Sequence, residues 1–66
     1  MDKNVVAKRL IELRGKRTQN EVATAIGISQ STYAMYELGL RMPSDEKKEK
    51  IATYYKRSVQ AIFFAS

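Results

Sequence analysis

Three features of this sequence predict an all-α fold of five short helices. Apolar residues recur at helical spacings and nowhere alternate with period two over the length of a strand. Gly15, Gly27, Gly39 and Pro43 cut the chain into pieces of helical length. Thr18, Ser29, Ser44 and Ser58 stand where four of those pieces begin, and a hydroxyl there can accept from an amide that the helix leaves unpaired.

The first helix is expected from about Asp2 to Arg14, with Val6, Leu10 and Leu13 stacked on one face and Gly15 ending it. Thr18-Gln19-Asn20-Glu21 reads as a capping box that opens a second helix about two turns long. Val22, Ala23 and Ile26 form its apolar face and Gly27 stops it. Ser29 caps a third helix that runs to about Leu38 and stops at Gly39, with Tyr33 and Tyr36 on a shared side. Ser44 opens a fourth, after Pro43. Asp45 and Glu46 lie in its first turn, where the helix dipole favours negative charge, and Ile51, Ala52 and Tyr55 make its apolar face. Ser58 caps a short fifth helix holding Val59, Ile62, Phe63 and Phe64. Adjacent side chains on a helix point about 100° apart, so Phe63 and Phe64 cannot both face one core. The aromatic spacing of Tyr36, Tyr54 and Tyr55 favours core or rim packing over base stacking.

The chain has 66 residues, which is one domain, residues 1–66. A chain this short buries only roughly 60% of its unfolded surface. It contains neither cysteine nor histidine, which removes disulfides, thiol chemistry, the commonest zinc ligands and the commonest general base. No convergent carboxylates replace them, so no enzyme, metal, cofactor or small-molecule site is expected. MDKNVV lacks the apolar stretch of a signal peptide, and AIFFA is far shorter than the roughly 20 residues of a membrane span. A cytoplasmic protein without membrane contact is the expectation.

The net charge is +5, with 12 basic and 7 acidic residues. Its distribution says more than its sum. Residues 1–18 carry six basic and two acidic side chains, residues 19–40 only Glu21 and Glu37, and residues 41–66 six basic and three acidic. Two basic segments flank a nearly uncharged middle. That pattern suits a molecule gripping phosphates at its edges and reading bases at its centre.

That middle, Gln19 to Leu38, has the layout of a helix-turn-helix at helices 2 and 3. Ala23 is small enough for a close crossing, and Gly27 sits where the chain reverses. Val22, Ile26, Ile28, Tyr33 and Tyr36 stand where a two-helix corner needs apolar side chains. The amide of Gln30, at the start of the third helix, can pair with adenine N6 and N7 together. Ala34 and Met35 can meet thymine methyls. Free amides at the helix starts near Thr18 and Ser29 suit phosphate oxygens. Lys16, Arg17 and Arg41 lie just outside, where a DNA backbone would pass. The absence of Arg and Lys from the third helix argues for half-sites containing A·T pairs.

TQNEVATAIGISQSTYAMYELGLRMP resembles the helix-turn-helix of phage-repressor-like transcriptional regulators, the lambda repressor and Cro type. IELR before it resembles the end of the family's first helix and SDEKKEKIATYYKRSVQAIFF after it resembles the last two, so the likeness covers about residues 4–64. It implies a bacterial or phage-encoded regulator, expected to be a repressor, bound as a homodimer to a near-palindrome of double-stranded DNA. Residue by residue, Gln19 matches a phosphate-binding Gln that braces the reading helix. Gln30 matches the base-reading Gln, and Ser31, Ala34 and Met35 match the other groove-facing positions. Thr32 lies at a position near the phosphates, and Leu38 to Arg41 match the loop along the backbone. Arg14 and Glu37 match a structural ion pair. A dimer contact is expected on the fifth helix, through Ile62, Phe63 and Phe64.

Three departures stand out. Tyr33 replaces a smaller branched residue, so either the corner opens or its hydroxyl reaches a phosphate. Lys47 and Lys48 occupy a region that usually holds an apolar anchor, which leaves Met42 as a substitute or that end loose. The Gly15–Arg17 loop is shorter than in many relatives. A protein-interaction module on the same fold, without base readout, is the rival reading.

Overall fold

A computed structural model describes residues 2–65. Asp2 opens helix α1, Lys3–Arg14, where its carboxylate accepts from the amides of Asn4 (2.8 Å) and Val5 (3.4 Å). Helix α2, Gln19–Ile26, starts at Thr18, whose hydroxyl accepts from the Glu21 amide at 3.0 Å. The expected capping box is therefore half formed: Glu21 is exposed, and among the described residues no bond returns from its carboxylate to Thr18. Helix α3, Gln30–Glu37, starts at Ser29, whose hydroxyl accepts from the Thr32 amide at 3.1 Å. It stops before Leu38. Gly39 then takes φ 72° where the chain passes over α1, and a Cβ there would lie 2.9 Å from Asn4 Oδ1.

Helix α4, Asp45–Tyr55, is capped by Ser44 and ends at Lys56, which has φ 57° and ψ 43°. That left-handed conformation ordinarily selects glycine, so no local signal marks this end. Helix α5, Gln60–Phe64, is wound as a π-helix: the Ala65 amide reaches back five residues to the Gln60 carbonyl at 2.8 Å. Arg9 of α1 satisfies its last carbonyls, donating through Nη1 to Ile62 O at 2.9 Å and through Nη2 to Ala65 O. The capping serine expected here is in place, with the Ser58 hydroxyl accepting from the Ala61 amide at 3.0 Å.

Helix α3 packs against both α1 and α2, α4 packs on α2, and α5 packs on α1. Leu10, Val22, Tyr33, Ile51, Ile62 and Phe63 are fully buried where these helices meet. Each such side chain contributes about 1.5–3 kcal/mol by leaving water. Leu13, Ile28, Met42, Tyr54 and Val59 pack around this centre and stay partly exposed.

The Tyr33 hydroxyl does not reach outward. The ring is fully buried and the hydroxyl lies 2.7 Å from that of Tyr55, so it is turned away from any phosphate. Burial pushes the Tyr33 phenol far above its ordinary range, and the bond to Tyr55 adds to this. Burial also raises the Tyr55 phenol, against an opposing effect of the Tyr33 bond.

Lys48 is itself the anchor at the start of α4. It is only 7% exposed, with its ammonium 3.5 Å from the Asp45 carboxylate and 5.9 and 5.5 Å from the ring centres of Phe63 and Phe64. A lysine can replace an apolar residue here because its four-carbon stem packs while its charge meets a carboxylate and two ring faces.

The expected dimer contact needs a correction on the same helix. Ile62 and Phe63 are each 1% exposed and belong to the core of a single chain, whereas Phe64 is 51% exposed. Only Phe64 of the three is available to a partner. No helix among the described residues is long and apolar enough to cross a membrane.

Candidate nucleic-acid interface

The corner between α2 and α3 turns at Gly27, with φ 87° and ψ 34°. Its amide bonds to the carbonyls of Ala23 (2.9 Å) and Thr24 (3.2 Å), and the Ile28 amide also reaches Ala23 at 2.9 Å. These bonds satisfy the last carbonyls of α2 and reverse the chain within three residues. Val22, Ala23, Ile26, Tyr33 and Tyr36 are buried inside the corner, and the other side of α3 faces outward.

On that outward side Gln30, Ser31 and Met35 are exposed, while Ala34 and Thr32 are half-buried. The Ser29 hydroxyl is committed locally. Besides capping the helix it donates to Thr32 Oγ1 at 2.8 Å and lies 3.2 Å from Ser31 Oγ. The first amides of α3, at Gln30 and Ser31, have no carbonyl within the helix to bond, so they remain donors at its start. The amides of Gln19 and Asn20 have the same status at the start of α2, beside the Thr18 cap.

Behind the outward face runs a continuous polar chain. Gln30 Nε2 donates to Gln19 Oε1 at 2.9 Å, and Gln19 Nε2 donates to Glu37 Oε1 at 3.0 Å. Arg14 grips the same carboxylate with two donors, Nε at 2.7 Å and Nη2 at 3.1 Å, and its Nη1 donates to the Arg17 carbonyl at 2.7 Å. One guanidinium thus ties together the end of α1, the turn after it and the end of α3. Burial pushes the Glu37 carboxyl up. The hydrogen bonds from Arg14 and Gln19, a contribution from the Tyr33 hydroxyl and the Arg14 charge outweigh it, so the group is held below the usual carboxylate range.

The residues matched to the backbone divide into two groups. Lys16 and Arg41 are exposed. Arg17 is also exposed, but its guanidinium lies over the rings of Tyr54 (5.4 Å) and Tyr55 (5.7 Å) and donates to Leu13 O at 3.1 Å. Leu38 is 67% exposed, yet its amide already bonds Ala34 O at 3.0 Å, so it has no donor to give a phosphate. Gln19, too, has one amide hydrogen occupied by Glu37.

Between the α2–α3 turn and the start of α4 lies an open groove of about 500 Å³, lined among others by Ser29, Thr32, Tyr36, Arg41, Ser44 and Lys47. Ser29, Thr32 and Arg41 are readable from the sequence as backbone contacts. Tyr36, Ser44 and Lys47 are not, although Lys47 follows the Ser44 cap by three residues and so must lie at the same helix end.

Residues 8–62 match the model of a helix-turn-helix family. Over 51 residues the chain is 39% identical to the cryptic phage CTXphi transcriptional repressor RstR of Vibrio cholerae, a match covering 74% of this chain. It spans 46% of the length of that relative. Among solved structures it is similar to the SOS-response transcriptional repressor LexA from Eubacterium rectale, with a TM-score of 0.87 over 92% of this chain and 67% of that one. At 24% identity that likeness is one of fold. The family match over residues 8–62, joined by the likeness to a phage repressor, shows that the chain belongs to the phage-repressor-like family of helix-turn-helix proteins.

Proposed function

We propose that this chain binds double-stranded DNA sequence-specifically and acts as a transcriptional repressor, as a homodimer on a near-palindromic operator, in the cytoplasm of a bacterial cell. The observation that carries the reading is the outward face of α3. Gln30, Ser31 and Met35 are exposed there, Ala34 is half-exposed between them, and Gln30 is braced from behind by Gln19. Gln30 reads adenine, and Ala34 and Met35 meet thymine methyls. Lys16, Arg41 and Lys47, with the free amides at the starts of α2 and α3, hold the phosphates on either side. The role is binding rather than catalysis.

The homodimer reading rests on Phe64, an exposed large apolar side chain that shares a shallow hollow of about 310 Å³ with Val5. Phe64→Asp is expected to give a monomer in sedimentation and to weaken operator binding. An unchanged mass removes this interface.

The test of the main reading is selection of sites from a random duplex library, repeated with Gln30→Ala. A two-fold symmetric motif that loses information at defined positions in the variant is the expected result. Affinity for the selected site is expected to fall with salt in proportion to the phosphates neutralised. Sequence-blind binding, or none, overturns the reading in favour of a protein-interaction module.

A further inference from the structure

The side chains Arg14, Glu37, Gln19 and Gln30 are joined in series, and the series has a direction. A guanidinium only donates hydrogen bonds and an ionised carboxylate only accepts them, whereas a glutamine amide has one donating and one accepting end. Glu37 is 6% exposed and receives two bonds from Arg14. Its remaining capacity can also only accept. Gln19 must therefore turn its NH2 toward Glu37, at 3.0 Å, and its carbonyl away from it. Gln30 must then turn its own NH2 toward that carbonyl, at 2.9 Å. The Gln30 carbonyl and one N–H are left facing outward.

That outward pair matters because a free glutamine side chain can present its amide either way round. An acceptor beside one donor complements the N6–H and N7 of adenine. An NH2 with both hydrogens forward complements guanine, whose N7 and O6 both accept. We propose that Glu37, which faces the interior and touches no DNA, is a positioning residue for specificity: its charge sets the amide orientation of Gln30 through Gln19 and so selects adenine over guanine. This rests on the reading of Gln30 as a base contact.

Glu37→Gln reverses the series. With its carbonyl at the Oε2 position the new amide keeps the shorter Arg14 bond, from Nε, gives up the longer one from Nη2, and turns its NH2 toward Gln19. Gln19 then accepts from position 37 and donates to the Gln30 carbonyl, and Gln30 presents its NH2 outward. Gln19→Ala instead cuts the series, leaving Gln30 free to adopt either orientation. It removes one bond to Glu37 but leaves both bonds from Arg14 in place, so it tests the series even if the Glu37→Gln chain fails to fold.

The experiment measures the ratio of affinities for two operator duplexes that differ only by A·T or G·C at the base pair facing Gln30. A ratio is unmoved by a uniform loss of affinity, which is all that a merely structural role would produce. The wild-type chain is expected to favour adenine by about tenfold or more. Gln30→Ala should bring the ratio close to one. Gln19→Ala should narrow it, and Glu37→Gln should narrow it further or invert it toward guanine. If Gln30→Ala flattens the ratio while Gln19→Ala keeps the wild-type value, or a folded Glu37→Gln chain keeps it, the base contact stands and the relay is overturned. If Gln30→Ala leaves the ratio unchanged, both fall together.

Discussion

Deleting one oxygen from the Tyr33–Tyr55 pair should cost more than deleting both. The two hydroxyls lie 2.7 Å apart inside the core, and the residues are 0% and 6% exposed, so water cannot replace a lost partner. Tyr55→Phe removes one hydroxyl and leaves the other buried and unpaired, at a cost of about 1–3 kcal/mol. Tyr33→Phe should cost about the same, because it strands the Tyr55 hydroxyl in the same way. The double variant leaves two rings in contact with no stranded polar atom, and replacing both partners by apolar groups of the same shape is nearly neutral. A domain of this size has a total stability of about 3–10 kcal/mol, so both single variants stay folded enough to measure. Each kcal/mol corresponds to roughly 4–8 °C in Tm. The assay is urea and thermal unfolding of all four proteins, followed by far-ultraviolet circular dichroism, with the coupling taken from the double-mutant cycle. A double variant that loses the sum of the two single losses would refute the idea that each hydroxyl exists to satisfy the other. Operator affinity, measured where all four are folded, should not change, since neither hydroxyl faces the DNA side.

Gly27→Ala should cost about 1–2 kcal/mol from the left-handed backbone alone, because nothing lies within 4 Å of the added Cβ. Urea unfolding measures it, and a loss near zero would mean that the corner can turn another way. Lys56→Gly should raise stability by up to about 1 kcal/mol, since it relieves φ 57° at an exposed helix end; a lower Tm contradicts this. The Glu37 carboxyl is held below its ordinary value in the folded chain. Its stabilising contribution is therefore complete above the unfolded pKa, about 4.3, and is lost as pH falls through the lower folded value. Arg14→Ala, which leaves that carboxylate buried without its main partner, should be strongly destabilising near neutral pH, by up to about 3–5 kcal/mol. It should also flatten the acid limb of the Tm–pH curve; equal acid sensitivity in both proteins would locate the effect in other groups.

Short-range chemistry made the helices, their starts and the outward face of α3 legible in the sequence. Thr18, Ser29, Ser44 and Ser58 cap through bonds that span three residues, and Gly27 turns the corner because few other residues adopt its conformation. Helical spacing likewise separates the buried Tyr33 and Tyr36 from the exposed Gln30 and Met35. Tertiary structure alone decided where the ambiguous side chains went. The Tyr33 hydroxyl was open to a phosphate, but in the fold it lies 2.7 Å from the hydroxyl of Tyr55, 22 residues away. Lys48 reads as a break in the apolar pattern at the start of α4 until its stem is buried and its charge meets the rings of Phe63 and Phe64 and the Asp45 carboxylate. Arg9 looks like one more member of a basic face, yet it terminates a helix 53 residues further on. The end of α4 at Lys56 and the π-winding of α5 carry no local signal. The polar chain from Arg14 to Gln30 has members that can be named from the sequence, but its direction depends on which end is buried. Burial is a property of the assembled helices, and it is Glu37, buried at the end of α3 and bonded to Arg14 of α1 and Gln19 of α2, that makes one end accept and thereby orients the rest.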